Sequence, residues 1–236
     1  MPERARPVRV GVLVSGTGTV LQALLDAYGP GAGGPAQVAV VISNVPGAVA
    51  LERARAAGVP ALVIDHREFP GRPAFEAALR EALAAARVDL VCLAGFIRIL
   101  TPGFAADFAG RMMNIHPALL PAFGGKGMYG ERVHEAVLAS GARVSGCTVH
   151  FVTSETDAGP IIVQAAIPVE DDDTPATLAA RVRREELRLY PLAVRLFTEG
   201  RLRIDGNRVR LRPPDGSPSS GAGTTGAPAV TRVITP

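Results

Sequence analysis

Tryptophan is missing from the 236 residues, aromatic residues make up 5% of them, and lysine occurs once, at Lys126. That scarcity removes the interleaved basic and aromatic side chains that stack and neutralise nucleic acid, so no nucleic-acid partner is expected. The remaining basic residues are arginines, and the net charge is only +3. The excess gathers late, in Arg181, Arg183, Arg184, Arg188 and the stretch from Arg195 to Arg212, which reads as a solvated helix face. Cysteine is nearly absent too. Cys92 and Cys147 lie far apart in apolar surroundings, which excludes a disulfide framework and fits buried thiols in a reducing compartment. No metal is expected. No uninterrupted apolar run reaches the ~18 residues of a membrane span. Met1 to Pro7 lacks the apolar core of a signal peptide. The expectation is a soluble cytoplasmic protein without membrane contact.

Apolar residues are plentiful at 47%, and their spacing alternates between two periods. Val8–Val14 is a β-branched run suited to a buried parallel strand. It ends in Ser15-Gly16-Thr17-Gly18-Thr19, and from Val20 the apolar spacing turns helical. Strand, glycine-rich turn and helix start together offer free amides and a helix dipole to an anion. The turn lacks the third glycine of a dinucleotide fingerprint and the Gly-Lys-Ser/Thr of a P-loop. Further strands are expected at Gln37–Ile42, Ala61–Ile64 and Val88–Ala94, with helices at Ala48–Ala57 and Pro73–Ala86. A polar loop, Asp65–Arg72, separates two of them. This β-then-α alternation predicts an α/β fold, an open, mostly parallel twisted sheet with helices on both faces, in a single domain.

The densest chemistry is Met113-Asn114-Ile115-His116-Pro117-Ala118-Leu119-Leu120-Pro121. Residues i and i+2 of an extended segment point to one side, so Asn114 and His116 can converge, and the prolines stiffen the exit. An amide donor beside a titratable ring suits a developing oxyanion. Pro121–Gly130 is expected to be a flexible loop able to fold over a site, and its Gly-Gly-Lys-Gly is not a nucleotide motif. A helix follows at Glu131–Ser140, then strands at Val144–Val152 and Ile161–Val169. His150 on the first of these is expected to be structural, and Asp157, in the turn between them, reads by itself as a turn-capping aspartate. A long helix, Ala176–Glu199, opens after Thr174-Pro175, and Arg201–Leu211 forms a hairpin around Asp205-Gly206. Residues 1–211 are expected to be the folded domain, and 212–236 a disordered tail rich in Pro, Gly, Ser and Thr.

The blocks Ser-Gly-Thr-Gly-Thr at 15–19, Leu-Ala-Gly-Phe-Ile-Arg-Ile-Leu at 93–100 and Asn-Ile-His-Pro-Ala-Leu-Leu-Pro at 114–121 resemble one family. Thr-Val-His-Phe-Val at 148–152 with Asp-Ala-Gly-Pro at 157–160, and the stretch 181–191, extend the match in the right order. The family is the folate-dependent glycinamide ribonucleotide formyltransferases. The resemblance implies formyl transfer from 10-formyltetrahydrofolate, as co-substrate, to the amine of glycinamide ribonucleotide, with small-molecule partners and a monomer or homodimer. It implies Asn114, His116 and Asp157 as catalytic residues, with Asp157 keeping His116 charged. It implies substrate contacts at Gly18, Thr19, Val20 and Glu186. Folate contacts are implied at Arg72, Ile97, Arg98, Ile99, Leu100, Asn114, Thr153, Ser154, Glu155, Thr156 and Asp157.

Two departures stand out: Val20 where common members carry asparagine, and Leu187 where a histidine is frequent. Three rivals share the core or the binding features. A methionyl-tRNA formyltransferase is expected to carry a C-terminal tRNA-binding domain, and a formyltetrahydrofolate deformylase an N-terminal regulatory one. The chain offers only a short hairpin and tail after residue 200, and a first strand already at Val8. A non-catalytic folate- or nucleotide-binding module is the third alternative.

Overall fold

The computed structural model describes residues 6–213. Nine strands form one sheet in the order β3-β2-β1-β4-β5-β6-β7-β9-β8. The first five are β1 (Val8–Val14), β2 (Ala36–Ser43), β3 (Ala61–Val63), β4 (Leu90–Leu93) and β5 (Met112–His116), and all pair in parallel. Beyond them, β6 (Val144–Phe151) runs antiparallel to both β5 and β7 (Ile161–Pro168). The hairpin β8 (Leu202–Asp205) and β9 (Arg208–Leu211) extends the sheet past β7. The mostly parallel sheet is as expected.

Alternation along the strands divides the core. Val10, Val12 and Val14 of β1, with Leu90 and Cys92 of β4, face one side. There they meet α1 (Thr19–Tyr28), α2 (Val49–Ala56), α5 (Glu131–Ala139) and the long α6 (Pro175–Thr198). Leu13, Val91 and Leu93 face the other side, against Phe75, Leu79 and Leu83 of α3 (Arg72–Ala85) and Phe104 of α4 (Pro102–Asp107). Strands of period 2 between helices of period 3.6 are what bury both faces of a parallel sheet. Cys92 and Cys147 are both buried free thiols; burial pushes Cys92 up to about 12 and raises Cys147 as well.

Helix α4 is not among the elements that the sequence pattern predicts. Thr101 caps it with Pro102 at its first turn, and the buried Glu76 of α3 accepts from the Thr101 N–H at 2.6 Å and from its hydroxyl. The Asp65–Arg72 stretch holds a 3-10 turn at His66–Glu68, and Arg72 already opens α3. The folded part runs slightly past its expected end, because the Arg212 N–H donates to the Arg201 carbonyl at 2.8 Å. The expected tail lies outside the described residues from 214 onward. Among the described residues no helix is long and apolar enough to cross a membrane.

Candidate active site

Strand order reverses between β1 and β4, and in open α/β sheets ligands bind beyond the strand ends at such a point. A cavity of about 630 Å³ opens there, lined from the ends of β1, β4 and β5, the loop after β5, the turn after β6 and one face of α6.

One end of the cavity is the turn Gly16–Thr19. Gly18 sits at φ 72°, and a Cβ there would lie 2.7 Å from the Ala50 Cβ, so only glycine lets α2 approach. The Arg53 Nε–H donates to the Thr17 carbonyl at 2.8 Å and braces the turn. No side chain caps α1, so the first amides of the helix remain available to an anion. Val20 buries its side chain in the core, leaving only its backbone to face a ligand.

A second wall is the 95–100 segment, tied to that turn. The Ser15 N–H donates to the Gly95 carbonyl at 3.1 Å. The Ser15 hydroxyl accepts from the Ile97 N–H at 3.0 Å and donates to the buried Asn44 Oδ1 at 2.5 Å. Ile97 and Ile99 are 60% and 43% exposed, apolar side chains left open on the cavity wall. Val152–Asp157 face them as lining residues.

The reactive centre follows from strand register. Asn114 and His116 share a side of β5, and the antiparallel β6 pairs Asn114 with His150 and His116 with Thr148. Directly opposed residues of a ladder bring their side chains together. The Asn114 Nδ2 stands 3.2 Å from His150 Nε2 and 3.5 Å from Asp157 Oδ1. His150 Nδ1 is 2.9 Å from the Phe151 carbonyl, which can only accept. Nδ1 therefore carries a proton, and Nε2 faces the Asn114 amide. The 3.5 Å contact sits at the limit of a hydrogen bond, so a ligand oxygen can take over that N–H.

Asp157 comes from the turn after β6, at φ 55°. Gly159 allows this turn to fold back, since a Cβ there would lie 1.8 Å from the Phe151 carbonyl oxygen. Asp157 Oδ2 is 3.5 Å from His116 Nδ1 and accepts from the Gly125 N–H at 2.9 Å. The other His116 nitrogen, Nε2, donates to the Phe123 carbonyl at 2.8 Å. The 121–130 loop thus touches both members of the pair and lines the cavity from Gly125 onward.

Burial pushes the His116 imidazole below its ordinary value, against the pull of Asp157 and the Phe123 carbonyl. Asp157 does pull the ring upward, but desolvation outweighs the carboxylate, which corrects the expectation that Asp157 keeps His116 charged. For Asp157, burial works upward, yet the carboxyl lies below its ordinary value through His150, His116 and the Gly125 amide. Glu186 is pushed up to about 7 by burial, with Arg183 opposing. Ala176, Ala179, Arg183 and Glu186 line the cavity at successive three- and four-residue steps, a single face of α6.

The expected residues Gly18, Thr19, Val20, Ile97, Arg98, Ile99, Leu100, Asn114, His116, Thr153, Ser154, Glu155, Thr156, Asp157 and Glu186 all line this cavity. Arg72 does not. It is exposed at the first turn of α3, whose position is set by Phe75 packing on the opposite core. His150, expected to be structural, lines the cavity beside Asn114. The polar residues Thr148 and His150, set between the apolar Cys147, Val149 and Phe151, were its available signal. His134 of α5 and Arg183 were also missed, although Arg183 lies one turn before Glu186. Burial first, then Arg183 and His116, lower the His134 ring, and its Nδ1 has no hydrogen-bond partner among the described residues.

The formyl transferase family model matches residues 8–194. Over 203 residues the chain is 40% identical to the phosphoribosylglycinamide formyltransferase of Haemophilus influenzae, covering 86% of this chain and 93% of that protein. Over 196 residues it is 47% identical to the trifunctional purine biosynthetic protein adenosine-3 of Drosophila melanogaster, covering 83% of this chain. The chain spans only 14% of that relative's length. The crystal structure of glycinamide ribonucleotide transformylase 1 from Symbiobacterium toebii superposes with a TM-score of 0.82 at 50% identity, covering 89% of this chain and 97% of that one.

Proposed function

The chain belongs to the formyl transferase family, and on that footing we propose that it transfers the formyl group of 10-formyltetrahydrofolate to the primary amine of glycinamide ribonucleotide. The observation that carries this reading is the convergence of Asn114, His116 and Asp157 in a cavity that also contains the Gly16–Thr19 turn. A phosphate on the amides of that turn directs the rest of a ribonucleotide toward the reactive centre. The pterin lies between Ile97–Leu100 and Thr153–Asp157, with the apolar Ile97 and Ile99 against its ring.

The amine attacks the formyl carbon and the carbonyl oxygen becomes an oxyanion. The Asn114 N–H, held only weakly by Asp157 at 3.5 Å, turns to that oxygen and donates to the developing charge. The attacking nitrogen must lose a proton and the folate N10 must gain one as its bond to carbon breaks. Asp157 and His116, 3.5 Å apart, carry that proton between them. Burial lowers the proton affinity of His116, which favours release of the proton over its retention. The buried Glu186 receives the substrate amine: an ammonium arriving there favours the ionised carboxylate, which takes its first proton and leaves the neutral nucleophile that attacks.

The test is a spectrophotometric assay with 10-formyl folate, run with and without glycinamide ribonucleotide. Folate product is expected only with the ribonucleotide present. Equal product without it makes water the acceptor and overturns the reading.

A further inference from the structure

We propose that Lys126 forms a binding point for an anionic oxygen group of a bound substrate at the mouth of the cavity. The proposal rests on the formyl-transfer reading only for the identity of the anion: the phosphate of the ribonucleotide or the glutamate carboxylates of the folate.

Three observations carry it. The first is residue type. Lys126 is the single lysine among 25 basic residues. Arginine presents a planar fork, whereas lysine presents a compact charge on a flexible stem whose three donors rotate onto an anion. A chain that otherwise uses arginine throughout keeps the ammonium at one position, and that position lines the cavity.

The second is backbone placement. Gly125 and Gly127 flank Lys126 at φ 96° and 91°, a conformation that side-chain-bearing residues rarely adopt. The chain therefore turns on both sides of the lysine. The Gly125 N–H is bonded to Asp157 Oδ2 at 2.9 Å, so the Lys126 backbone is held one residue from an anchor on the reactive centre. Lys126 is exposed, and among the described residues no ion pair or hydrogen bond takes up its ammonium.

The third is charge balance. The cavity lining carries Glu131, Glu155, Asp157 and Glu186 against Arg98, Lys126 and Arg183. The anion turn itself contributes amides and the apolar Val20, with no cationic side chain. Two anionic substrates entering a cavity with this many carboxylates need each cation that faces it.

The test compares the native chain with Lys126→Met, which keeps the stem and removes the charge, and with Lys126→Arg. In steady-state assays Lys126→Met is expected to raise one KM by about 5- to 10-fold, roughly the 1.4 kcal/mol per decade of a lost charge contact, with kcat within about twofold. A rise for the ribonucleotide identifies the phosphate, and a rise for the folate identifies the carboxylates. Lys126→Arg is expected to recover part of the loss. Added salt is expected to raise the same KM in the native chain and to act less on Lys126→Met. Both KM values unchanged in Lys126→Met overturn the proposal.

Calorimetric titration of both proteins with inorganic phosphate and with folic acid separates this outcome from failure of the formyl-transfer reading. Weaker binding of either probe to Lys126→Met supports the proposal even if the native chain transfers no formyl group. Equal binding of both probes overturns it.

Discussion

Glu186 and His116 are both buried, and burial moves them in opposite directions because it penalises the charged form of each. For Glu186 the folded value, about 7, lies above the ordinary 4.5. The folded state therefore holds its proton more tightly than the unfolded chain. That contribution is fully present below the ordinary value and is lost as pH rises through about 7, by up to roughly 3 kcal/mol. Glu186→Gln is expected to flatten this decline in a thermal melt series from acidic to alkaline pH. The same variant is expected to raise the KM for the ribonucleotide with folding retained. Asn114→Ala removes the proposed oxyanion donor and should lower turnover by on the order of 10²–10³, with circular dichroism unchanged. His150 shows what a residue-by-residue reading misses. Its own strand marks it only as polar, and its partner, Asn114, lies 36 positions away.

At the scale of elements, the turn carrying Asp157 and the helix carrying Glu186 depend on separable local devices. Gly159 is needed for close approach to β6, not for a left-handed backbone. Gly159→Ala is expected to cost at least about 1–3 kcal/mol through overpacking and to lower turnover together with stability, read from denaturant unfolding and the formyl-transfer assay. Helix α6 begins with a capping box in which Thr174 and Thr177 satisfy each other's backbone amides. Thr174→Ala is expected to lower the unfolding free energy by about 1 kcal/mol and to leave KM unchanged, because Glu186 lies three turns further on. Helix boundaries at α2, α3, α5 and α6, and the start of α1, fell within a residue of the expected ones, since glycine, proline and threonine punctuate them locally. Helix α4 has the same punctuation, Thr101-Pro102, but its six residues are too short to show a period.

At the scale of the whole molecule, the site's lining among the described residues runs from Gly16 to Glu186. Deleting residues 216–236 is expected to leave turnover unchanged in the same assay. By itself the sequence determined the elements other than α4, and the side on which Asn114 and His116 project. Alternation, helical spacing and turn residues act over a few positions and need no partner. Only the tertiary structure decided which residues meet. The reversal of strand order at β1 and β4 opens the cavity, and the antiparallel β6 delivers His150 and Asp157 to Asn114 and His116. The packing of α6 brings in Arg183 and Glu186, while that of α3 leaves Arg72 outside. Protonation was decided there as well. The family resemblance implied a carboxylate that keeps a histidine charged, but desolvation depends on everything packed around the ring, and it outweighs that single neighbour.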